Sequence, residues 1–342
     1  MNKYNKILIF LLMLIGLSPA LGQEKEVDAL VSEGIAFHDK GDFKKAIELY
    51  KMAMEIDPDA EVIKYEMALS YMSDRNYPEA IKYSKALIKA DSKYSMQAYI
   101  VYGSSLDIQG ESKKAMKVFE KGIAKYENSL LYYNHALTCF NLGLTDKAYE
   151  SAIKAIDNNP SHASSHMILS EIMGRKGSRI KTMLPLYYFL YLEPNSSRSA
   201  SAYQKLRNFS AYGISEKEGS NIDVTVPSSD DSDFGPLEFT LSISRVANLT
   251  EENKDKTDME QFYLSNKALF GTMKELRQDK TGFWQDFYVS FFSELVDEEL
   301  IEVFSYYISI SKGDEILEWL EDHDSDFQRF ATWAEGGDKS AD

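Results

Sequence analysis

The chain has 342 residues, of which 54 are Asp or Glu and 38 are Lys or Arg, so its formal net charge is −16. A chain of this charge is repelled by nucleic acid and by anionic lipid surfaces, and both are therefore disfavoured as partners. The only cysteine, Cys139, rules out an intramolecular disulfide. The acidity is uneven, because residues 198–342 hold 30 acidic residues against 14 basic ones.

The first 22 residues have the pattern of an export signal. Two lysines precede an apolar run from Ile7 to Leu17, and the small residues Ala20 and Gly22 follow it. This order is typical of a secretory signal peptide, and the apolar run is too short to span a bilayer. We therefore expect residues 1–22 to be a signal peptide and the mature protein to be periplasmic or secreted. No cysteine stands at the cleavage site, which argues against a lipoprotein, and no later apolar run is long enough for a transmembrane segment.

A repeat with a period of 33 to 35 residues follows the signal. Its marker residues are Ala46, Ala80, Ala115, Ala148 and Thr182. Each period contains two short amphipathic patterns, which predicts a pair of helices. A period of this length with two helices per unit indicates a helical solenoid.

Small and aromatic residues recur at fixed places within each period. The first unit has Gly34, Ala46, Tyr50 and Pro58, and the third has Gly103, Ala115 and Phe119. This pattern resembles the tetratricopeptide repeat (TPR), in which a small residue lets two helices approach and an aromatic residue fills the space between them. The resemblance implies an all-α fold, with a TPR solenoid of about five helix-turn-helix repeats in residues 23–197. We expect a capping helix at 198–212.

The fifth unit departs from this pattern. Ser170 and Thr182 replace its small residues, and Pro185 stands inside its second helix, where it is expected to kink the helix or delay its start. The run 184–192 is apolar on every side, so a helix here needs packing partners all around it. A buried strand is the alternative for so short a run.

The second half divides by composition. Residues 213–236 are rich in Gly, Ser and Asp, which predicts an acidic linker or irregular loop, although Ile222–Val226 alternates like a short strand. Residues 237–336 have helical apolar spacing and predict a small, mostly helical C-terminal domain. In its first segment, residues 237–243, apolar residues also alternate with a period of two, and we interpret this segment as a helix. Residues 337–342 are expected to be a disordered tail.

The resemblance also implies which side chains line the inner groove of the solenoid. These are Val62, Tyr65, Leu69, Met72, Ile100, Tyr133, Leu137 and Phe140. We call this set the groove residues. They are apolar or aromatic, whereas TPR modules that hold acidic C-termini use Lys, Arg and Asn, so that mode is not expected here. The sequence leaves two possible occupants of the groove: a protein or extended peptide partner, or the chain's own C-terminal half.

No motif for catalysis, metal or cofactor binding stands out. His162 and His166 lack the glutamate of a metalloprotease motif. The acidic run Asp322–Asp326 lacks the Gly and the Glu of a calcium loop, since Phe327 and Trp333 stand in their places. We therefore expect no enzyme activity, no cofactor and no metal site.

The sequence favours a non-enzymatic scaffold or adaptor that acts through its apolar groove. The chain as a whole resembles signal-peptide-bearing TPR proteins of the Bacteroidota, which implies an envelope or secreted scaffold. One alternative is a ligand- or calcium-binding envelope protein that uses its acidic C-terminal domain. A hydrolase in that domain is a further alternative. The sequence does not indicate an oligomeric state.

Overall fold

The computed structural model describes residues 23–217, 221–225, 233–248, 250, 253 and 255–336. The expected signal peptide and the expected C-terminal tail lie outside these residues. The chain forms two compact units, divided between Leu144 and Thr145.

The first unit is a stack of helices joined by short turns. Its helices are α1 (23–39), α2 (Phe43–Ile56), α3 (Glu61–Ser73), α4 (Tyr77–Lys89), α5 (Ser95–Ile108), α6 (Ser112–Ile123) and α7 (Ser129–Asn141). From α2 to α7 each helix contacts the next. In addition, α3 contacts α5 and α5 contacts α7, so the first helices of successive repeats lie side by side. The predicted helix-turn-helix repeats are confirmed here.

The small residues of the repeat are explained by the rings that cover them. A β-carbon built on Gly34 would come within 3.0 Å of three atoms of the Tyr50 ring. Gly103 stands in the same relation to the ring of Phe119. Because both rings are almost fully buried, they have no space to move aside. The pairing of a small residue in one helix with an aromatic residue in the next therefore sets the distance between the two helices.

A left-handed backbone residue marks the turn inside each repeat. Gly41 and Gly110 have φ of 81° and 82°, which glycine adopts without a steric penalty. In the second repeat the same place is taken by Arg75, with φ of 63°. The turn thus keeps its conformation where the sequence does not supply glycine.

The second unit continues with helices and contains one hairpin. Its elements are α8 (Thr145–Asn158), α9 (Ala163–Arg175), α10 (Arg179–Leu192), α11 (Ser199–Ala211), β1 (Ile214–Lys217), β2 (Asn221–Val224), α12 (Gly235–Asn248), α13 (Asp258–Arg277), α14 (Ser290–Asp297), α15 (Ile301–Tyr307), α16 (Asp314–Asp322) and α17 (Asp324–Gly336). A π-helical turn, Trp284–Val289, precedes α14, and a 3₁₀ turn, Ile310–Lys312, precedes α16. The mostly helical C-terminal region agrees with the prediction, including a helix where the first segment alternates by two.

Helix α10 is the centre of the second unit. It runs through Pro185 without a break, so the expectation of a late start is wrong, and so is the alternative of a buried strand. Helices α9, α11 and α12 and the π-helical turn all contact it. Ring contacts surround Tyr187, whose hydroxyl donates to Asn266 Oδ1 at 2.6 Å. Packing on every side offsets the hydrogen bond that Pro185 cannot make.

A short antiparallel hairpin occupies part of the segment expected to be an irregular linker. Strand β1 pairs with β2 in a register that runs from Ile214↔Val224 to Lys217↔Asn221. Both strands contact α12. The strand-like alternation noted from Ile222 is thus present as β2, and the described part of this segment is not irregular throughout.

The division between the units lies inside the repeat array. The solenoid predicted for residues 23–197 includes this division, and its end at residue 197 stays a prediction. In the second unit, α10 and α11 pack against α12. The last helices of the repeat array thus share their contacts with the C-terminal helices.

Candidate partner-binding groove

The first stripe of groove residues lies along α3. Val62, Tyr65, Leu69 and Met72 are spaced by three, four and three residues, which places them on one face of the helix. All four are partly buried, whereas another face of α3 is fully buried among its neighbours. Val62, Leu69 and Met72 pack against the hydrophobic core of the first repeats. These side chains therefore support the fold and also present accessible apolar surface.

The stripe on α5 is polar except for Ile100. Ile100 is partly buried and packs against a second core cluster, which contains Leu106 and Phe119. Beside it, Asp107 Oδ2 accepts a hydrogen bond from Thr138 Oγ1 at 2.9 Å. Ser104 and Asn134 make a longer hydrogen bond of 3.4 Å. These two bonds join α5 to α7 and hold the two helices in register.

The stripe on α7 is apolar and aromatic. Tyr133, Leu137 and Phe140 are partly buried and share one face of the helix. Leu130, one turn earlier, is 40% exposed. Because α3, α5 and α7 lie side by side, the structure brings the groove residues onto three adjacent helices. Their role in binding stays a prediction.

Tyr94 extends this surface and was missed by the sequence analysis. Its ring stacks on Tyr65, with centroids 4.8 Å apart and an interplanar angle of 10°. Tyr94 precedes α5 and so lies outside the helical positions by which the groove residues were chosen. The stacked pair forms an aromatic wall beside α3, and burial raises the pKa of the Tyr65 phenol.

An acidic residue, Glu66, follows Tyr65 on α3. His38 Nδ1 and Ser70 Oγ are 2.7 Å apart, which joins the end of α1 to α3. Glu66 is one turn before Ser70 on α3. Burial, and after it the charge of Asp39, raises the pKa of the Glu66 carboxyl. Within the described residues Glu66 has no cationic partner. The sequence did not indicate this unpaired carboxylate, because Glu66 stands between two residues of the apolar pattern.

His166, one of the two histidines considered as metal ligands, is engaged in other bonds. His166 is fully buried, with Nδ1 2.6 Å from Tyr288 Oη and Nε2 2.7 Å from the Pro160 carbonyl. The carbonyl can only accept, so Nε2 donates and Nδ1 accepts from the tyrosine. Burial lowers the pKa of His166 to about 3. In the described part of the chain, no group of three or more His, Cys, Asp or Glu side chains is arranged to hold a metal ion.

Cys139 is buried in α7, as its place in the repeat predicts. Its sulfur lies 3.5 Å from Nε2 of His135. Among the helices of residues 23–336 that are described, none has the length and apolarity to cross a membrane.

Comparison with known proteins gives partial matches. The structure is similar to that of a thermophilic TPR protein of Thermus thermophilus, with a TM-score of 0.44 and 16% identity over 54% of this chain and 98% of the other. It is also similar to pilF of Pseudomonas aeruginosa, with a TM-score of 0.45 and 15% identity over 55% of this chain and 90% of the other. Both TM-scores are below 0.5.

Two curated relatives match parts of the sequence. The chain is 30% identical over 112 residues to tetratricopeptide repeat protein 28 of Mus musculus, which covers 33% of this chain and 4% of the relative. It is 25% identical over 219 residues to a TPR repeat-containing protein of Methanocaldococcus jannaschii, which covers 58% of this chain and 38% of the relative. The chain thus spans well under half the length of either relative.

The repeats themselves match models of known families. Residues 65–129 match one model described as tetratricopeptide repeat, and residues 27–60 and 130–162 match a second with the same description. Residues 27–60 and 65–162 therefore match tetratricopeptide repeats, as the resemblance implied. Stacked helical repeats create an extended surface, which suggests a scaffold for interaction with other proteins.

Proposed function

We propose that this protein is an exported, non-enzymatic scaffold that binds an extended segment of a protein partner along the groove residues. One observation carries the proposal: eight apolar or aromatic side chains lie on three adjacent helices, and every one of them is partly accessible. Tyrosine and phenylalanine bury a large area at a small cost in side-chain entropy, and they often dominate binding energy. The hydrogen bonds between α5 and α7 keep this surface ordered before a partner arrives.

The carboxylate of Glu66 indicates that the partner carries a basic residue. Glu66 follows Tyr65 on α3 and is half-buried, and Asp39 adds a second negative charge that acts on it. A half-buried carboxylate without a cation is costly, so a Lys or Arg of the partner placed here would stabilise it. We therefore expect an apolar segment that carries a basic residue at the end facing α1 and α3.

Partner capture with a groove variant tests the proposal. Tyr133→Ala combined with Phe140→Ala is expected to abolish capture of a partner from the cell envelope while the chain remains folded. The matched control is Met52→Ala combined with Leu144→Ala, which removes apolar side chains that are 52% and 40% exposed and are not groove residues. Equal capture by both double variants would contradict the proposal.

The basic residue of the partner has its own test. Glu66→Gln keeps the shape of the side chain and removes its charge, so capture is expected to weaken by about tenfold, the effect of losing one charge-assisted hydrogen bond. Glu55→Gln in α2 is the control, since Glu55 is exposed and is not a groove residue. If both variants capture the partner equally, the proposal that Glu66 contacts a basic residue of the partner is wrong, although binding along the groove is not contradicted.

The exported location rests on the sequence pattern of residues 1–22. Fractionation of cells that express the full chain, with sequencing of the mature N-terminus, tests it. We expect an N-terminus near Gln23 in the periplasm or the medium. A full-length protein in the cytosol would contradict this part of the proposal.

A further inference from the structure

A polar cleft of about 400 Å³ lies in the second unit, at a place that the groove does not use. One side is a face of α11, which contributes Tyr203, Gln204 and Arg207. The other side is formed by Asp258 at the start of α13 and by the 3₁₀ turn with Ser311 and Lys312. A volume of about 300 to 1,000 Å³ with a few converging polar groups is typical of small-ligand sites.

A second cleft of about 260 Å³ adjoins the first and shares Asp258 and Lys312 with it. Its lining adds the carboxylate of Glu315 and the apolar side chains of Met259, Ile316 and Trp319. The two clefts together therefore offer a charged part and an apolar part on either side of the same pair of residues.

Arg207 is held rigidly at the wall of the first cleft. Its guanidinium makes two hydrogen bonds to the Asp258 carboxylate, of 3.1 and 2.5 Å, and a third to Tyr203 Oη at 3.0 Å. It also lies over the ring of Phe262, 4.7 Å from the centroid. This bidentate pairing keeps the pKa of Asp258 below its ordinary value in spite of partial burial. Asp258 thus orders the cations around it.

Lys312 lies between two carboxylates at the edge of the cleft. Lys312 Nζ is 3.4 Å from Asp258 and 3.3 Å from Glu315, so neither contact is short. Arg207 and Lys312 therefore both contact Asp258, and Glu315 is largely exposed at the edge.

The cleft also contains a hydroxyl that lacks a bond. Ser311 Oγ is buried, and within the described residues no group accepts from it or donates to it. Leaving a buried hydroxyl unpaired costs free energy, about 1 to 3 kcal/mol in general. Ser311 lines the same cleft as Lys312, its neighbour in the 3₁₀ turn.

We propose that this cleft binds a small oxyanion, a carboxylate or a phosphate, through Lys312 Nζ and the Ser311 hydroxyl, with any apolar part of the ligand against Met259, Ile316 and Trp319. Arg207 supports the site by its charge and is itself fixed by Asp258. A bound anion gives Lys312 a closer counter-charge and gives the Ser311 hydroxyl an acceptor at the same time. The site is independent of the groove and of its partner.

The test uses two probes, inorganic phosphate and butyrate, in titrations of the full chain by calorimetry. We expect saturable binding of at least one probe, and binding weakened about tenfold by Lys312→Met and several-fold by Ser311→Ala. Lys267→Met is the matched control, since Lys267 is exposed in α13 and does not line either cleft. Circular dichroism shows whether each variant is folded, and Ser311→Ala tests the site if Lys312→Met is not.

The outcomes separate the two classes of ligand. Binding of phosphate alone assigns the site to phosphorylated ligands, and binding of butyrate alone, or tighter binding of butyrate, assigns it to carboxylates with an apolar tail. The absence of saturable binding for both probes overturns the proposal. An equal loss in Lys267→Met and Lys312→Met also overturns it, because it would show only a general effect of charge.

Discussion

Arg179 of α10 and Glu238 of α12 form an ion pair inside the second unit, with Nη1 and Oε2 3.5 Å apart and side chains only 3% and 4% exposed. Burial lowers the pKa of the arginine and raises the pKa of the glutamate, because it disfavours the charged form of each side chain. Hydrogen bonds are therefore needed to stabilise the buried charged pair. Arg179 donates to the carbonyls of Phe209 and Ser210 at the end of α11, and Glu238 accepts from the amide of Ile180. One ion pair therefore joins three helices.

Removal of one partner is expected to destabilise the second unit strongly. Glu238→Leu leaves the Arg179 charge buried without a counter-charge, and we expect a loss of about 3 to 5 kcal/mol in the free energy of unfolding. Urea unfolding followed by circular dichroism measures it. The double variant Arg179→Met with Glu238→Leu is expected to recover part of this loss, since no charge remains buried. A single variant as stable as the unchanged protein would contradict this account.

The contact between Gly34 and Tyr50 predicts a strict requirement for glycine. Gly34→Ala puts a β-carbon into the space of a buried ring, and we expect a loss of about 1 to 3 kcal/mol. Gly271→Ala is the control, because it also lies within a helix but has no atom within 4 Å of the added carbon. Alanine there is expected to be neutral or to stabilise by about 1 kcal/mol. Equal melting temperatures for the two variants would refute the explanation.

The backbone at Arg75 predicts a stabilising substitution. Arg75 has φ of 63°, the conformation that glycine adopts at the same place in the first and third repeats. Arg75→Gly is expected to raise the free energy of unfolding by about 1 kcal/mol, since the relief of strain exceeds the added entropy of the unfolded chain. The reciprocal variant, Gly110→Arg, is expected to lower it by a similar amount. Denaturant midpoints measure both, and a shift of the same sign in both would be contrary to expectation.

The buried His166 predicts a loss of stability in acid. Its pKa falls from an ordinary value of 6.5 to about 3 in the folded protein, because burial disfavours the charged ring. The unfolded chain therefore binds a proton below pH 6.5 that the folded chain does not bind until about pH 3. Stability from this group is complete above pH 6.5 and falls by about 1.4 kcal/mol per pH unit as the pH drops through that window.

Substitution of the histidine isolates this contribution. His166→Gln is expected to lower stability at neutral pH, because the bonds to Tyr288 and Pro160 are weakened, but to flatten the pH dependence between about pH 6.5 and 4. Urea unfolding at a series of pH values gives the slope. An unchanged slope in His166→Gln would assign the acid sensitivity to other groups.

Particular residues show how far sequence reasoning reached. The period of the small residues predicted the helix pairs, and the apolar run around Tyr187 predicted a helix that needs partners on every side. The same reasoning expected Pro185 either to kink that helix or to delay its start. The helix does not start late, because tertiary packing exceeds the local cost of proline. Tyr94 was missed because it lies outside the repeat helices, and Glu66 because its environment depends on Asp39, a residue of another helix.

The sequence by itself determined the helical repeat, the stripe of apolar residues on α3 and α7, and the acidic character of the second half, because periodicity and composition are local properties of a chain. Only the tertiary structure decided which side chains meet. The pairing of Arg179 with Glu238, the bond between His166 and Tyr288 and the pairing of Arg207 with Asp258 join residues that are 51 to 122 positions apart. Such contacts depend on how helices pack, and packing is set by the fit of many side chains at once.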